Sequence, residues 1–567
     1  MNQYKLSIHD RDYSKWTIFD ANTHEMVEDI DINPAKEHLF NGDIFTYDGT
    51  KTTLINSLVR NSVQIPGVLL LEDKIYGKHK NKYIYKCSPD DKHIPIFLIA
   101  HEEKRIGFSK RKINRYITFQ FKSWDSTHPE AIIKNNIGNV EEIINFYEYQ
   151  LFCKSLNSSI QGFGKDAKRS INLINTKKTF DDIIEKYNIE ERNVFIFSID
   201  GPGTQDFDDA FSVQEFEDKS VLSIYITNVA IWMDVLDLWS AFSERISSIY
   251  LPDKKRPMLP TVLSNILCSL YKGEKRIALA MDIHIQNNSI IDIQYSNVAI
   301  VVNENYLYDD INTKNKHFGL LEKYANILQS IHKLSNKMND SKEIVAYLMM
   351  FMNYHTSKIF IENDCGIFRS ISDSEKSIPK EVPTSLHNFI KIWNTSSGKY
   401  TLEKSDSHEL IGVDSYIHIT SPMRRLIDLL NIISIQRVFN LYTFSSNADT
   451  FYDNWVNKLD YINTTTRSIR KIQLDCNLLN WCNRQTELNT KTYQGYVFDK
   501  LDRNDGLFQY IVYIRAINMA SKITVRYDLK NYSQHDFSLH MFNKKDSFKK
   551  KVRLHLHSEQ ADSYVES

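Results

Sequence analysis

The chain has 567 residues, of which 42% are hydrophobic and 25% charged, so it holds core material for roughly three to four domains. Its formal net charge is -1, so a polyanionic partner would have to be met by local basic patches. The six cysteines are scattered without a CxxC pair, which argues against a disulfide framework and against a zinc module.

The first residues lack the apolar segment of a signal peptide, and no run reaches the ~18 apolar residues of a membrane span. Together with the scattered cysteines, this predicts an intracellular, cytoplasmic protein in a reducing compartment that does not bind a membrane.

Residues 1–190 consist mostly of short strand-like runs, such as 4–8, 43–47 and 67–71, separated by Asn, Asp, Gly and Lys. This spacing predicts small β-barrels. The apolar period becomes helical over 140–156 and again over 180–187.

Two basic stretches, 78–86 and 104–116, alternate Lys or Arg with aromatic residues. Such a surface suits single-stranded nucleic acid, because bases stack on rings while cations follow the phosphates. An ordinary solvated strand face explains one such stretch equally well. Two of them in one barrel-like region favour RNA or DNA binding.

The stretch 198–210 places four carboxylates, Asp200, Asp206, Asp208 and Asp209, within ten residues. Strand-like runs flank it, and its Gly-Pro-Gly segment predicts an irregular loop. Four like charges this close raise one another's pKa unless a cation lies among them. Oxygen ligands suit Mg²⁺ or Mn²⁺. A solvated acidic turn or a structural Ca²⁺ loop is the alternative, although the spacing does not match an EF-hand.

Two further stretches contain residues suited to a nucleotide. Residues 250–260 carry three prolines, which predict an extended loop that could place Tyr250 against a base, unless its ring is buried in the core. In 416–430, Thr420 or Ser421 before Pro422 predicts a helix start, with Arg424 and Arg425 in the first turns as a phosphate site. An Arg424–Asp428 ion pair within the helix is the structural alternative.

Residues 318–362 and 424–490 have helical periodicity, and strand alternation returns over 493–498, 508–514 and 523–527. The last part predicts another small barrel, ending in the lysine-rich run 544–553. Edge lysines also block aggregation, so this run is weak support for nucleic-acid binding.

Together the motifs resemble the RNB family of processive 3′→5′ exoribonucleases, which includes RNase II, RNase R and the exosome catalytic subunit. The acidic loop 200–210 resembles the family's I-D-x-x-x-x-x-D-x-D-D-A signature. Residues 250–270 resemble its Y-L-P…P-M-L-P…L-S…C-S-L segment, 408–430 its H…Y-x-H-x-T-S-P-x-R-R…D-L-L block, and 67–98 its second cold-shock barrel.

The resemblance implies an α+β multidomain fold with OB-type cold-shock barrels, a mixed α/β RNB domain and an S1-like OB barrel. It leaves no stretch for the PIN endonuclease module. The expected domains are 1–60 and 61–160 (cold-shock-like barrels), 161–490 (RNB domain) and 491–567 (S1-like barrel with a basic tail).

The resemblance also implies site roles. The four aspartates would hold one or two Mg²⁺ ions, with Mn²⁺ as a substitute, and Asp208 would matter most for the chemistry. Arg424 would bind the scissile phosphate beside Arg425, Tyr250 would pack on the 3′-terminal nucleotides, and Asp475 would take the place of a family glutamate near the RNA 3′ end.

The implied function is hydrolysis of single-stranded RNA to nucleoside 5′-monophosphates by a monomeric protein. This sequence departs from the family pattern at Gly201, Leu426 and Asp475, but none of these changes removes an aspartate of the acidic loop. An RNA-binding scaffold with a degenerate RNB domain is the alternative. A different metal-dependent transferase with an Asp-rich loop is the reading without the resemblance.

Overall fold

The computed structural model describes residues 2–102, 112–311, 315–334, 338–370, 382–395, 398–403, 413–485, 491–544 and 548–557. The chain divides into two compact units. Unit 1 comprises 1–157, 251–253 and 471–567, and unit 2 comprises 158–250 and 254–470. Among the described residues, no helix is long and apolar enough to cross a membrane.

Unit 1 begins with a five-stranded antiparallel sheet. Its strands are β1 (Gln3–Ile8), β2 (Trp16–Asp20), β3 (Met26–Val27), β4 (Ile44–Tyr47) and β5 (Thr52–Asn56), and α1 (Leu58–Asn61) follows. The strand order is β3-β2-β1-β4-β5. Asp48 fixes the β4–β5 turn, because its carboxylate accepts hydrogen bonds from the backbone N–H groups of Thr50 and Lys51.

The second sheet of unit 1 closes on itself. Its strands are β6 (Ile65–Leu69), β7 (Lys78–His79), β8 (Lys82–Pro89), β9 (Phe97–His101), β10 (Arg115–Ser123) and β11 (Glu130–Asn139). Because β6 pairs with both β10 and β8, the strands β6-β10-β11-β9-β8 form a closed ring with one parallel pair, β9–β11. The barrel predicted here is confirmed, as is a helix within 140–156, α2 (Ile143–Cys153).

The two N-terminal sheets share one hydrophobic core. Buried side chains of the first sheet, including Leu6 and Phe45, belong to the same cluster as Phe97 and Phe119 of the second. Phe40 stacks on Phe97 with 5.9 Å between ring centroids. The two barrel-like sheets therefore stabilise each other by burying apolar area between them.

Unit 2 begins with α3 (Gln161–Leu173) and α4 (Thr176–Tyr187). A helix within 180–187 is confirmed by α4, but no helix was predicted at α3. Its buried residues Phe163, Ala167 and Ile171 have the i, i+4, i+8 spacing of a helix face. Two glycines in its first turn lower the helix propensity of this segment, so the sequence gives only a weak helix signal there.

A seven-stranded sheet forms the centre of unit 2. In chain order the next elements are β12 (Glu190–Glu191), β13 (Phe197–Asp200), β14 (Asp209–Glu215), β15 (Ser220–Thr227), α5 (Val229–Val235), β16 (Ile249–Tyr250), β17 (Lys255–Arg256), α6 (Thr261–Leu263), β18 (Lys275–Gln286), β19 (Ser289–Val301) and β20 (Glu304–Leu307). The sheet order is β12-β19-β18-β15-β14-β13-β20, while β16 and β17 pair separately. Every residue of the central strand β15 is buried, as in a sheet covered on both faces.

Helices dominate the rest of unit 2, as the periodicity predicts. They are α7 (Lys316–Ile331), α8 (Ser341–Glu362), α9 (Thr384–Thr395), α10 (Leu426–Val438), α11 (Ser446–Val456) and α12 (Leu459–Asn483), and the short strands β21 (Phe368–Ser370) and β22 (Lys399–Thr401) pair with each other. α10 is buried from Leu426 to Gln436, so it shows no polar stripe. α12 has residues in both units.

The C-terminal sheet belongs to unit 1. It contains β23 (Thr492–Asp502), β24 (Phe508–Ile514), β25 (Met519–Val525), β26 (Gln534–Lys544) and β27 (Lys549–His557), in the order β25-β24-β23-β26-β27. Its core includes Val497, Val512 and Phe537 together with Leu478 of α12. The three strand runs predicted here are confirmed.

Gly366 gives a prediction on stability. Its φ is +89°, and a Cβ added there would lie 2.0 Å from Cδ2 of the fully buried Phe360. We expect Gly366→Ala to reduce the free energy of unfolding by about 3 kcal/mol or more, because backbone strain and overpacking add. Gly273→Ala is the matched control, with a φ of +79° but no atom within 4 Å of the new Cβ, and should cost only about 1–2 kcal/mol. If urea unfolding shows equal losses of unfolding free energy for the two variants, the predicted clash with Phe360 is contradicted.

His355 gives a prediction on pH dependence. Burial, and to a lesser degree the nearby His332, lowers the pKa of His355 to about 4, and its ring stacks on Tyr295. An unfolded histidine has a pKa of about 6.5, so the unfolded chain takes up this proton first as the pH falls. The stability of the folded protein that depends on a neutral His355 is therefore complete above pH ~6.5 and is lost as the pH falls toward ~4.

We expect His355→Phe to flatten the dependence of unfolding free energy on pH between ~4 and ~6.5, by on the order of 1 kcal/mol. Urea unfolding at a series of pH values measures this slope. His79→Phe, at an exposed histidine on β7, is the control and should keep the wild-type slope. If His355→Phe keeps the wild-type dependence of unfolding free energy on pH, His355 is not the source of that dependence.

Candidate active site

The acidic loop connects two neighbouring strands of the unit 2 sheet. β13 ends at Asp200 and β14 begins at Asp209. The two strands pair antiparallel through Phe197 and Phe211, so the end of one lies beside the start of the other. The sheet thereby brings together the carboxylates of Asp200 and Asp209, which the loop separates in sequence.

Asp208 connects the acidic loop to the stretch 416–430, which contains Arg424. It is only 4% exposed, and its Oδ1 accepts a hydrogen bond from the Met423 N–H at 3.1 Å. Its Oδ2 lies 3.3 Å from Nε of Arg424, a residue 216 positions further along the chain. Burial raises the pKa of Asp208 to about 6, while Arg424 and the Met423 N–H oppose the rise.

Asp200 and Asp209 each have a buried Oδ2 with no hydrogen-bond partner. Burial raises the pKa of Asp200 to about 6. The pKa of Asp209 rises well above its usual range through burial and through repulsion from Asp200 and Asp208. Buried carboxylate oxygens without partners are costly, and a hard cation would satisfy them.

The chemistry of these donors therefore fits Mg²⁺ or Mn²⁺, as the sequence predicts. Across the described residues, however, no group of three or more His, Cys, Asp or Glu side chains is arranged to hold a metal ion. The protein's own cations lie among the aspartates instead. Arg424 contacts Asp208, and Lys255 contacts Asp206.

Asp206 forms an ion pair with Lys255 on β17. Lys255 is the cross-strand partner of Tyr250 on β16, and its Nζ lies 5.6 Å from the centre of the Tyr250 ring. Burial, and then repulsion from Arg424, lowers the pKa of Lys255 to about 8. Tyr250 is 43% exposed, so the core position considered for it is not what the structure shows.

Tyr308 lies beside the acidic loop and was not found by sequence reasoning. Its backbone N–H donates to the Asp200 carbonyl oxygen at 2.9 Å. Burial, and then the charges of Asp209 and Asp200, raises the pKa of the Tyr308 phenol to about 12. The residue follows β20, which pairs with β13, and only this pairing reveals its place.

The predicted helix start around Pro422 is wrong. α10 begins at Leu426, so Arg424 and Arg425 precede the helix and do not lie in its first turns. The Arg424–Asp428 pair is also not formed. Asp428 Oδ1 instead accepts hydrogen bonds from the Ser421 N–H and from Arg425 Nη2, each at 2.8 Å. This buried carboxylate accepts hydrogen bonds from a backbone N–H group and from an arginine side chain. A helix that began at Pro422 would not have placed these two donors beside it.

Asp475 lies in unit 1, on the exposed side of α12. Its carboxylate interacts electrostatically with four lysines of the same unit, Lys154, Lys471, Lys522 and Lys551. Its role at an RNA 3′ end stays a prediction.

The first basic stretch exposes one of its two tyrosines, Tyr83, whereas Tyr85 is buried in the hydrophobic core. Tyr83 on β8 is 47% exposed and lies 5.8 Å from Nζ of Lys78, and Lys86 lies 4.7 Å from the ring of Tyr76. Most of the second stretch, residues 104–111, lies outside the described residues, as do 408–412 of the stretch 408–430 and 545–547 of the C-terminal basic run.

Asp428 supports a prediction on the segment that carries Arg424. Asp428→Ala leaves the Arg425 guanidinium and the Ser421 N–H without their acceptor, and should lower the free energy of unfolding by about 3 kcal/mol. Asp449→Ala, which breaks an exposed pair with Arg437, is the control and should cost less than about 1 kcal/mol. Similar losses for both variants in urea unfolding would contradict the structural role of Asp428.

Known proteins resemble this chain in sequence. A family model described as the RNB domain matches residues 189–350. Ribonuclease R of Mycoplasmopsis pulmonis is 31% identical over 239 residues, which cover 41% of this chain and 30% of that protein. Ribonuclease R 2 of Lactococcus lactis is 23% identical over 378 residues, which cover 53% and 56%. The chain thus spans roughly a third to a half of the length of these relatives.

Solved structures show the same fold. RNase R of Mycoplasma genitalium, in complex with ribose-methylated single-stranded RNA, matches with a TM-score of 0.65 at 16% identity, over 98% of this chain and 100% of that one. Yeast Ssd1, described as a pseudonuclease, matches with a TM-score of 0.56 at 12% identity, over 95% and 81%. The predicted fold class, OB-type barrels with a mixed α/β RNB domain, is confirmed. Residues 189–350 therefore match the RNB domain, and the chain shares the fold of solved RNase R structures.

Proposed function

We propose that this chain is a divalent-metal-dependent exoribonuclease. It degrades single-stranded RNA processively in the 3′→5′ direction and releases nucleoside 5′-monophosphates. The observation that carries the proposal is the contact of Asp208 with Arg424, beside the unpartnered oxygens of Asp200 and Asp209. A cation suited to a phosphate thus lies beside carboxylates suited to a metal, which supports the proposal.

The aspartates hold the ion. Asp200, Asp208 and Asp209 present buried carboxylates, and Asp206 adds a fourth. When bound, Mg²⁺ or Mn²⁺ would polarise the scissile phosphate and activate water, in the two-metal scheme that the resemblance implies. Burial keeps bulk water away from these carboxylates, which strengthens their attraction for a cation.

Arg424 binds the scissile phosphate. Its side chain is 44% exposed, so an RNA phosphate can reach the guanidinium group. Nε of Arg424 donates to Asp208, and Nη2 donates to the Ser421 hydroxyl at 3.0 Å. The guanidinium group is therefore oriented before substrate arrives. A fixed guanidinium group stabilises the negative charge that builds up on the phosphate oxygens. Arg425 contributes positive charge beside it.

The exposed ring of Tyr250 packs on the terminal bases. The cold-shock-like regions 1–60 and 61–160 and the S1-like region 491–567 bind the rest of the strand, and the RNB domain extends over 161–490. Tyr83 with its neighbouring lysines supplies one stacking surface, and Asp475 contacts the RNA 3′ end. The protein acts as a cytoplasmic monomer on RNA.

A second candidate function is RNA binding without cleavage. Two observations favour it. The described residues form no complete metal-ligand group, and one structure with the same fold is described as a pseudonuclease. Against it, all four aspartates of the acidic loop are present.

Asp208→Asn tests the nuclease. The variant keeps the shape of the side chain but removes the charge that faces Arg424 and the metal, so we expect degradation of RNA to fall by at least about 100-fold. RNA affinity should stay within a few-fold of wild type. The assay is incubation of 5′-labelled single-stranded RNA with Mg²⁺, where wild type should give a processive ladder that ends in a short product, and EDTA should abolish it.

Asp218→Asn, an exposed aspartate in the turn between β14 and β15, is the matched control and should behave as wild type. Full activity in Asp208→Asn would rule out the proposed mechanism. Tight RNA binding by wild type without nucleotide release in Mg²⁺ or Mn²⁺ would instead establish the scaffold.

A further inference from the structure

Lys255 occupies a position in the acidic site to which the motif gives no role. Its ammonium group pairs with Asp206, whose side chain is only 13% exposed. Its backbone is fixed by the pairing of β17 with β16, opposite Tyr250. The lysine therefore enters the site from the short β16–β17 strand pair.

The charges of the site do not match two divalent cations. Four carboxylates belong to it, and Lys255 and Arg424 each bring one positive charge against one of them. Asp200 and Asp209 have the unpartnered buried oxygens, and the charge of Arg424 also reaches both of them. Four carboxylates against two protein cations leave a formal charge of two negative units, which one divalent ion would balance.

We propose that the Lys255 ammonium group is a resident counter-ion of Asp206 that limits the RNA-free protein to one tightly bound divalent ion. The inference rests on the proposed function, because it assigns a metal to the same aspartates. A second ion would have to displace the ammonium group from Asp206 or accept its repulsion at close range. The negative charge of an RNA phosphate would relieve that repulsion, so this lysine would make occupation of the second position depend on substrate.

Lys255→Met removes the charge and keeps most of the length of the side chain. One unit charge within ~4–6 Å shifts the ionic equilibrium of a carboxylate by about one to three powers of ten. We therefore expect the variant to bind a second divalent ion at least about tenfold more tightly than wild type. Lys255→Arg keeps the charge and should retain wild-type binding.

The experiment is a titration of the full-length, metal-free protein with Mn²⁺ in the absence of RNA, in which electron paramagnetic resonance measures the free ion. Lys254→Met is the matched control, since this adjacent lysine is exposed and should leave binding unchanged. Wild type should bind one ion tightly, and Lys255→Met should bind two. Circular dichroism checks that each variant is folded.

Two equivalent tight ions in wild type, or unchanged binding in Lys255→Met, would overturn the inference and leave the proposed nuclease intact. Absence of Mn²⁺ binding in every protein, together with absence of RNA degradation, would overturn both. The binding readout does not depend on turnover, so the two failures are distinguishable.

Discussion

The carboxylate of Asp208 is buried, and a buried charge needs partners. Its partners come from a segment more than two hundred positions away, a backbone N–H from Met423 and the guanidinium group of Arg424. That segment is itself held by the buried Asp428, which accepts from Ser421 and Arg425. Two buried aspartates thus fix the loop that precedes α10, and with it the direction in which Arg424 points. The site depends on this chain of contacts.

The sheet of unit 2 supplies the other constraint. Antiparallel pairing of β13 and β14 puts Asp200 and Asp209 at adjacent strand ends, and β20 brings Tyr308 to the same place. Carboxylates so placed repel one another, and this repulsion adds to burial in raising the pKa of Asp209. A fold keeps such an arrangement only where the surrounding structure is rigid or a cation offsets the repulsion. Here the central strand is buried along its whole length, and Lys255 and Arg424 contribute charge.

The same electrostatics explain why the site fits a nuclease better than a general anion-binding surface. A positively charged guanidinium group and exposed aromatic ring lie beside carboxylates whose oxygens lack hydrogen-bond donors. A phosphate would be repelled by the carboxylates alone, but not by carboxylates that hold a divalent ion. In the proposed function, RNA binding and metal binding would therefore support each other.

The sequence by itself supplied the residues of the candidate site. Four closely spaced aspartates, the Arg pair and Tyr250 are linear patterns. Strand alternation was enough to predict the barrels, and helical periodicity was enough to predict most helices. The sequence did not determine the start of α10, because Thr420 to Pro422 has the local signature of a helix cap. The competing contacts of Ser421 and Arg425 with Asp428 exist only in the folded chain. Tertiary structure alone decided that Lys255 pairs with Asp206 and that Tyr308 faces the acidic loop, since strand pairing between distant segments places both. Local sequence patterns give the residue types and the helical or strand period. Long-range packing decides which groups contact a buried charge.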